Sequence, residues 1–284
     1  MAAFTTPQYS VTEERDVVYG IADGFWTEGP DHWSPDARKL RILMGPRRSL
    51  ELKMDIYTPE DDNSACRPLL LMMHGGSFLF GNKEEAGQAG WCRHFASLGY
   101  TAASIDYRLG YPATGRGFRQ AETDALEDAR AALAFLSGYG NAKVDPERIF
   151  VAGTSAGGAL AMGLGYDPSP ACRIRAVGNL WGYVRDLSVL GHAQVPMLSF
   201  QSLHDPVVPY YTGYPLKLMI AGRVYGTGAI HDEASRLGIR SEHVPCPEKA
   251  HRLHLDGNGV LTPRFYDIRD ALSAFFAAAM QDSI

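Results

Sequence analysis

Ser155 stands between two glycines in Gly153-Thr154-Ser155-Ala156-Gly157-Gly158, after the apolar run Ile149-Phe150-Val151-Ala152 and before Ala159-Leu160-Ala161. A strand that feeds a helix through so short a turn must bend sharply, and only small residues fit beside the serine. Such a turn lifts the hydroxyl above the sheet and aims the start of the helix at any negative charge developing there. Ser155 is therefore a candidate nucleophile, provided that a base can take its proton. The plain alternative is a glycine-rich turn with an idle serine.

Attack on a carbonyl also needs N–H groups aimed at the oxyanion it creates. The loop His74-Gly75-Gly76-Ser77 follows a second buried apolar run, and its glycines let the backbone come close. The expected donors are the N–H groups of Gly75, Gly76 and Ala156, with Ser77 as a substitute. His74 precedes the nucleophile and reads as a residue that holds the loop.

In the chain order that accompanies such an elbow, an acid and then a base follow the serine. Asp205, in Phe200-Gln201-Ser202-Leu203-His204-Asp205-Pro206, fits the acid, which would accept from an imidazole Nδ1–H and fix its tautomer. Asp186 is the alternative. The base must follow the strand Ser241-Glu242-His243-Val244, and both His251 and His254 do. His251, one short loop past the strand, is the expected base; His254 then takes a surface or supporting place, and His243 packs within the strand. A metal reading of His251-x-x-His254 lacks a third ligand, and Asp256-Gly257-Asn258-Gly259 lacks the later glutamate of a calcium loop. Neither a metal nor a cofactor is expected.

These residues need a scaffold. Glu51 to Tyr57 alternates with period two, as a half-exposed strand does. Leu69 to Met73 is continuously apolar, the pattern of a strand buried on both faces. Further strands are expected at Thr101 to Asp106, Arg148 to Ala152, Ala176 to Leu180, Met197 to Phe200 and Ser241 to Val244. Helices are expected around Gln88 to Ser97, Gln120 to Leu136, Ala229 to Leu237 and Arg264 to Met280. This alternation predicts a mainly parallel sheet covered on both sides, in one domain over residues 1–284. Residues 1–45 read as an irregular segment, with a short strand at Val17-Val18-Tyr19 and with Trp26 and Trp33 placed to act as a partial cap over the site.

Composition excludes some functions. The 284 residues are 45% hydrophobic and 21% charged, enough to bury a core, and the net charge of -5 gives no pull toward nucleic acid. No apolar stretch is long enough for a membrane span. Met1-Ala2-Ala3-Phe4-Thr5-Thr6-Pro7 lacks the basic and apolar regions of a secretory signal, so a cytoplasmic chain is expected. Cys66, Cys92, Cys172 and Cys246 form no C-x-x-C pair and read as idle thiols, or as one or two bridges if the chain is exported.

Taken together, His74-Gly75-Gly76-Ser77-Phe78 with Gly81-Asn82-Lys83, Gly99-Tyr100, Asp106-Tyr107-Arg108-Leu109 and the Ser155 elbow resemble the carboxylesterase branch of the α/β-hydrolases. The likeness is greatest to feruloyl-esterase-like esterases, more distant to hormone-sensitive-lipase relatives, and runs from about residue 50 onward. It implies the α/β-hydrolase fold, a Ser155–Asp205–His251 triad and no cofactor. Two departures stand out: Ser77 replaces a third glycine, and Glu248-Lys249-Ala250-His251 lacks a glycine before the histidine.

The implied activity is hydrolysis of small or soluble carboxylic esters through an acyl-enzyme. The short stretch between Leu180 and Pro196 leaves no room for a large lid, so an open site without strong interfacial activation is expected. Phe78, Trp181, Tyr183 and Tyr210 are candidate substrate-binding residues, with Phe80 near them, though each could equally be packing. The same triad would serve an acyltransferase, thioesterase or peptidase. A non-catalytic ligand-binding protein of this fold is the reading from another class.

Overall fold

The computed structural model describes residues 4–27, 46–112 and 114–281. Its centre is an eight-stranded sheet in the order β1-β2-β4-β3-β5-β6-β7-β10. The strands are β1 (Val11–Gly24), β2 (Arg48–Pro59), β3 (Arg67–Met73), β4 (Thr101–Ile105), β5 (Val144–Thr154), β6 (Ile174–Leu180), β7 (Met197–Ser202) and β10 (Ser241–Cys246). Pairs β1·β2 and β2·β4 are antiparallel, and the pairs from β4 to β10 are parallel. Two-residue strands β8 (Thr212–Gly213) and β9 (Val224–Tyr225) form a separate ribbon.

Side-chain alternation in β3 shows why its continuous apolar run is needed. Leu69, Leu71 and Met73 enter one core, and Leu70 and Met72 the other, so neither face meets water. The first core is closed by α2 (Gly115–Gly138), α3 (Ala156–Gly165) and α4 (Thr227–Arg236). The stripe Ala121, Ala125, Ala129 and Ala132 on α2 lies at helical spacing and lets that helix approach the sheet closely. The second core is closed by α1 (Ala86–Ser97) and α5 (Pro263–Gln281), through Trp91, Phe95, Leu272 and Phe276.

The β-α alternation read in the sequence is present, with element ends moved by a few residues. One expectation needs correction. Residues 11–24, inside the segment expected to be irregular, form a fourteen-residue strand antiparallel to β2. Register shifts at Glu14/Val17 and Val18/Gly20 break its alternation, and half of its fourteen residues are exposed as in an edge strand, so its apolar signal is weak. Trp33 lies outside the described residues. Trp26 does not cap the cavity described below: its backbone bridges Leu109, and its indole donates to the Leu79 carbonyl (3.3 Å).

Among the described residues no helix is long and apolar enough to cross a membrane. All four cysteines are free thiols.

Candidate active site

Strand β5 ends at Thr154 and α3 starts at Ala156, so Ser155 alone makes the turn. Its backbone sits at φ 54 and ψ -114, a conformation that a residue with a side chain adopts only when its surroundings impose it. The imposition is visible. A Cβ on Gly153 would strike the Gly157 carbonyl, and one on Gly157 would strike the carbonyl oxygens of Met73 and His74. The Ser155 N–H donates to the Leu180 carbonyl (2.8 Å), which ties the turn to β6.

The imidazole of His251 joins the other two expected residues. Its Nε2 lies 2.7 Å from Ser155 Oγ, and its Nδ1 lies 2.9 and 2.8 Å from the two Asp205 carboxylate oxygens. Carboxylate oxygens only accept, so Nδ1 carries the proton and Nε2 faces the hydroxyl as an acceptor. Asp205 is fully buried at its side chain, and its Oδ1 also accepts from the N–H groups of Val207 (2.8 Å) and Val208 (3.0 Å). The turn after Asp205 thus fixes the carboxylate's orientation. Asp186, the alternative acid, instead caps the Ser188 N–H at 2.9 Å on an exposed turn.

No glycine is needed before His251, because Ala250 packs against the second core. The rest of the loop is fastened at its base: the Ser202 hydroxyl donates to the Glu248 carbonyl, and Arg264 of α5 pairs with the Glu248 carboxylate.

The loop after β3 lies against the elbow. A Cβ on Gly75 would come within 3.2 Å of the Ser155 Cβ, which measures how closely the two backbones pass. Gly76 is at φ 120, and Ser77 and Phe78 are also left-handed, at 54 and 58. Leu79 and Phe80 donate their N–H groups back to the Gly76 carbonyl, closing a tight turn. His74 does hold this loop. Its ring stacks on Tyr107 with centroids 4.3 Å apart, and Tyr107 Oη donates to the His74 carbonyl (2.7 Å). Further along, the Lys83 N–H donates to Asp106 Oδ1 (2.7 Å). The buried Lys83 ammonium reaches Asp55 and Asp16, each at 3.0 Å. The motifs around Asn82 and Asp106 therefore act as anchors that set the glycine loop beside Ser155.

A cavity of about 450 Å³ opens on Ser155 and His251. Trp181 and Phe80 line it, with Val207 and Leu216. Three expected substrate contacts do not. Phe78 is wholly buried against Tyr107 and Phe118, and Tyr183 packs with Ala159, Val208 and Val224. Tyr210 shares a 2.6 Å hydrogen bond with His243, whose burial lowers its pKa. Their aromatic character serves packing, which sequence position alone does not distinguish from a role in binding.

The cavity also holds Glu85 and Arg252, which the sequence does not single out, beside His254 in its supporting place. Glu85, Arg252 and His254 line it as a connected group. His254 is not at the surface: it is 2% exposed, stacks against Trp91 and Trp181, and places Nε2 3.1 Å from Glu85 Oε1. Burial works to raise the Glu85 carboxyl, but His254, Arg252 and the Gln88 amide outweigh it and hold the pKa down to about 2. Gln88 in turn donates to Thr154 Oγ1 (3.1 Å), next to Ser155. His254 was expected in a surface or supporting place, and its partner Glu85, a glutamate just before a helix, carries no signal that would single it out. Among the described residues no group of three metal-ligating side chains comes together.

Residues 54–170 match the family described as BD-FAE. A non-reducing polyketide synthase of Emericella nidulans, ausA, is 34% identical over 233 residues, covering 78% of this chain and 9% of that protein. Esterase-5C of Drosophila miranda is 32% identical over 115 residues, covering 38% of this chain and 20% of that protein. The chain thus spans a minor part of the curated relatives it matches. Among solved structures, Thermogutta terrifontis esterase 2 phosphoramylated by tabun superposes with a TM-score of 0.64 at 20% identity, covering 95% of each chain. The chain therefore has the α/β-hydrolase fold, and over residues 54–170 it is similar to the BD-FAE family.

Proposed function

We propose that the chain is a serine carboxylesterase that cleaves small carboxylic esters through an acyl-enzyme, working as one α/β-hydrolase domain. The observation that carries this reading is the continuous set of contacts from Ser155 Oγ through His251 to the buried Asp205. In the first step Nε2 of His251 takes the hydroxyl proton as Oγ attacks the ester carbonyl. Asp205 steadies the imidazolium that forms, and the N–H groups of Gly75, Gly76 and Ala156 receive the oxyanion. The imidazolium then protonates the departing alcohol. In the second step His251 draws a proton from water as it attacks the acyl-enzyme, and returns that proton to Ser155 Oγ as the acyl–oxygen bond breaks and the acid leaves.

A cavity of about 450 Å³ suits a small ligand. Val207, Leu216 and Trp181 offer an apolar surface to an acyl chain, and Asn82, Glu85 and Arg252 offer hydrogen bonds to an alcohol portion. The four free thiols support a reducing compartment such as the cytoplasm.

Hydrolysis of p-nitrophenyl esters of increasing acyl length tests the proposal, alongside mass spectrometry after treatment with an organophosphate. Ester turnover with one phosphoryl adduct on Ser155 is the expected result. A folded protein that turns over no ester and takes no adduct defeats the reading. The similarity to part of a protein named a synthase supports a second reading, in which an acceptor other than water resolves the acyl-enzyme. A burst of one product equivalent without steady turnover would favour it.

A further inference from the structure

Between β8 and β9 the chain runs Tyr214-Pro215-Leu216-Lys217-Leu218-Met219-Ile220-Ala221-Gly222-Arg223. Its backbone is fastened to the body of the protein. The Leu216 N–H donates to the Val207 carbonyl (2.7 Å), Arg185 donates to the Ala221 carbonyl (3.0 Å), and Pro215 and Ala221 are buried. The large side chains between these anchors nevertheless face water: Leu216, Leu218, Met219 and Ile220 are 49, 52, 75 and 56% exposed. Leu216 and Lys217 are held at φ 53 and 59, a left-handed backbone that costs energy for residues of this size. A loop fixed in this outward conformation suits a surface that would take those side chains out of water.

The patch adjoins the cavity. Leu216 lines it, and so does Phe80, itself 42% exposed. The exposed charges of the loop and of the neighbouring first turn of α2 are basic, and the nearby Glu122 is paired with Arg185 (2.6 Å). Lys217 and Arg223 are exposed within or beside the loop, and Arg116 and Arg119 are exposed near the start of α2, where Gly115 lies against the Ile220 carbonyl. Segments 107–121 and 206–231 contain no aspartate or glutamate. Apolar side chains within a basic rim match an anionic lipid surface, which takes up the first and attracts the second. A protein partner of mixed charge would have no such one-sided complement.

We propose that the Tyr214–Arg223 loop docks the protein on an anionic lipid bilayer and seats the cavity mouth against it. No lid has to move, so docking would raise the local supply of lipid-borne ester without interfacial activation of the lid-opening kind. Docking itself is independent of the esterase reading; only the delivery of ester to Ser155 rests on it.

Co-sedimentation with vesicles tests this, using phosphatidylcholine alone and phosphatidylcholine with about 30 mol% phosphatidylserine. The expected result is binding that is stronger on the phosphatidylserine vesicles and that weakens with salt. The double variant Leu218→Asp/Met219→Asp should lose about tenfold or more of that binding. Lys217→Gln should lose roughly fivefold on the anionic vesicles alone. Both variants should keep the wild-type melting temperature and the wild-type rate on p-nitrophenyl acetate. Wild-type protein that stays in the supernatant with both vesicles overturns the proposal, as does a double variant that binds like wild type. Sedimentation velocity identifies the rival occupant: a wild-type dimer that the double variant dissolves, with no vesicle binding, would make the patch a contact between two copies of this chain. Because the readout is binding, failure here leaves the esterase reading intact, and an inactive protein that binds vesicles leaves the docking reading intact.

Discussion

Glu85 and His254 meet at 3.1 Å across 169 residues of sequence, at one wall of the cavity that opens on Ser155. This pairing separates the two histidines of one loop. The imidazole of His251 faces Ser155, while that of His254 is turned into a carboxylate and two tryptophan rings. His254→Ala should therefore keep the rate on p-nitrophenyl acetate within about tenfold and lower stability by about 2 kcal/mol through lost packing. His251→Ala should do the reverse, with a rate loss on the order of 10⁴-fold or more and a near-normal melting curve. Equal rate losses in the two variants would show that His254 takes part in the chemistry.

Removing the serine hydroxyl sets the floor. Ser155→Ala should lower kcat by roughly 10⁴-fold or more, and adding His251→Ala to it should cost little further, since the two act as a unit. Asp205→Asn should cost up to about 10⁴-fold, because an amide cannot hold the same tautomer. Steady-state kinetics of the three variants check both statements.

The glycine loop gives a sharper test of the oxyanion assignment. Gly76→Ala places a methyl group against the Phe80 carbonyl at a backbone φ of 120, so the loop must shift. A fall of about 10²- to 10³-fold in kcat with little change in KM is expected, since the oxyanion exists only after attack. A change confined to KM would remove Gly76 from that role.

Acid should weaken the fold in two separable windows. Burial lowers the His94 pKa from 6.5 to about 4, so the unfolded chain takes up this proton first. Its contribution to stability is whole above pH 6.5 and declines as pH falls toward 4. For Glu85 the folded pKa of about 2 lies below the ordinary 4.5; its contribution is whole above pH 4.5 and is lost as pH falls toward 2. Urea unfolding across this range should show His94→Gln flattening the upper window and Glu85→Gln the lower. An unchanged slope in either variant would remove that group as the cause.

The sequence made the parts of the site that depend on backbone sterics readable. Gly153, Gly157 and Gly75 stand where any larger residue would collide, so their types reported the geometry directly. Asp205 and His251 were expected from chain order, the first after the apolar run Met197 to Phe200 and the second after the half-polar strand Ser241 to Val244. Strand β1 was harder to read, since its bulges and solvent exposure erase the period of two. The aromatic residues were hardest. Trp181 reaches the cavity while Phe78 and Tyr183 fill the core, and that difference is set by neighbours distant in sequence. The Glu85–His254 pair was hidden for the same reason.

The close passage of Gly157 under the Met73 and His74 carbonyls has a consequence for how this protein can change over time. The strand that delivers the glycine loop and the helix that follows Ser155 touch through backbone alone, with no side chain between them to be resized. Drift or directed evolution therefore has almost no freedom to adjust one without unseating the other. New substrate ranges must be reached from the periphery, at Val207, Leu216 and Arg252, where side chains can be exchanged. A mutational scan for altered selectivity should find its gains there and almost none between Gly153 and Gly158.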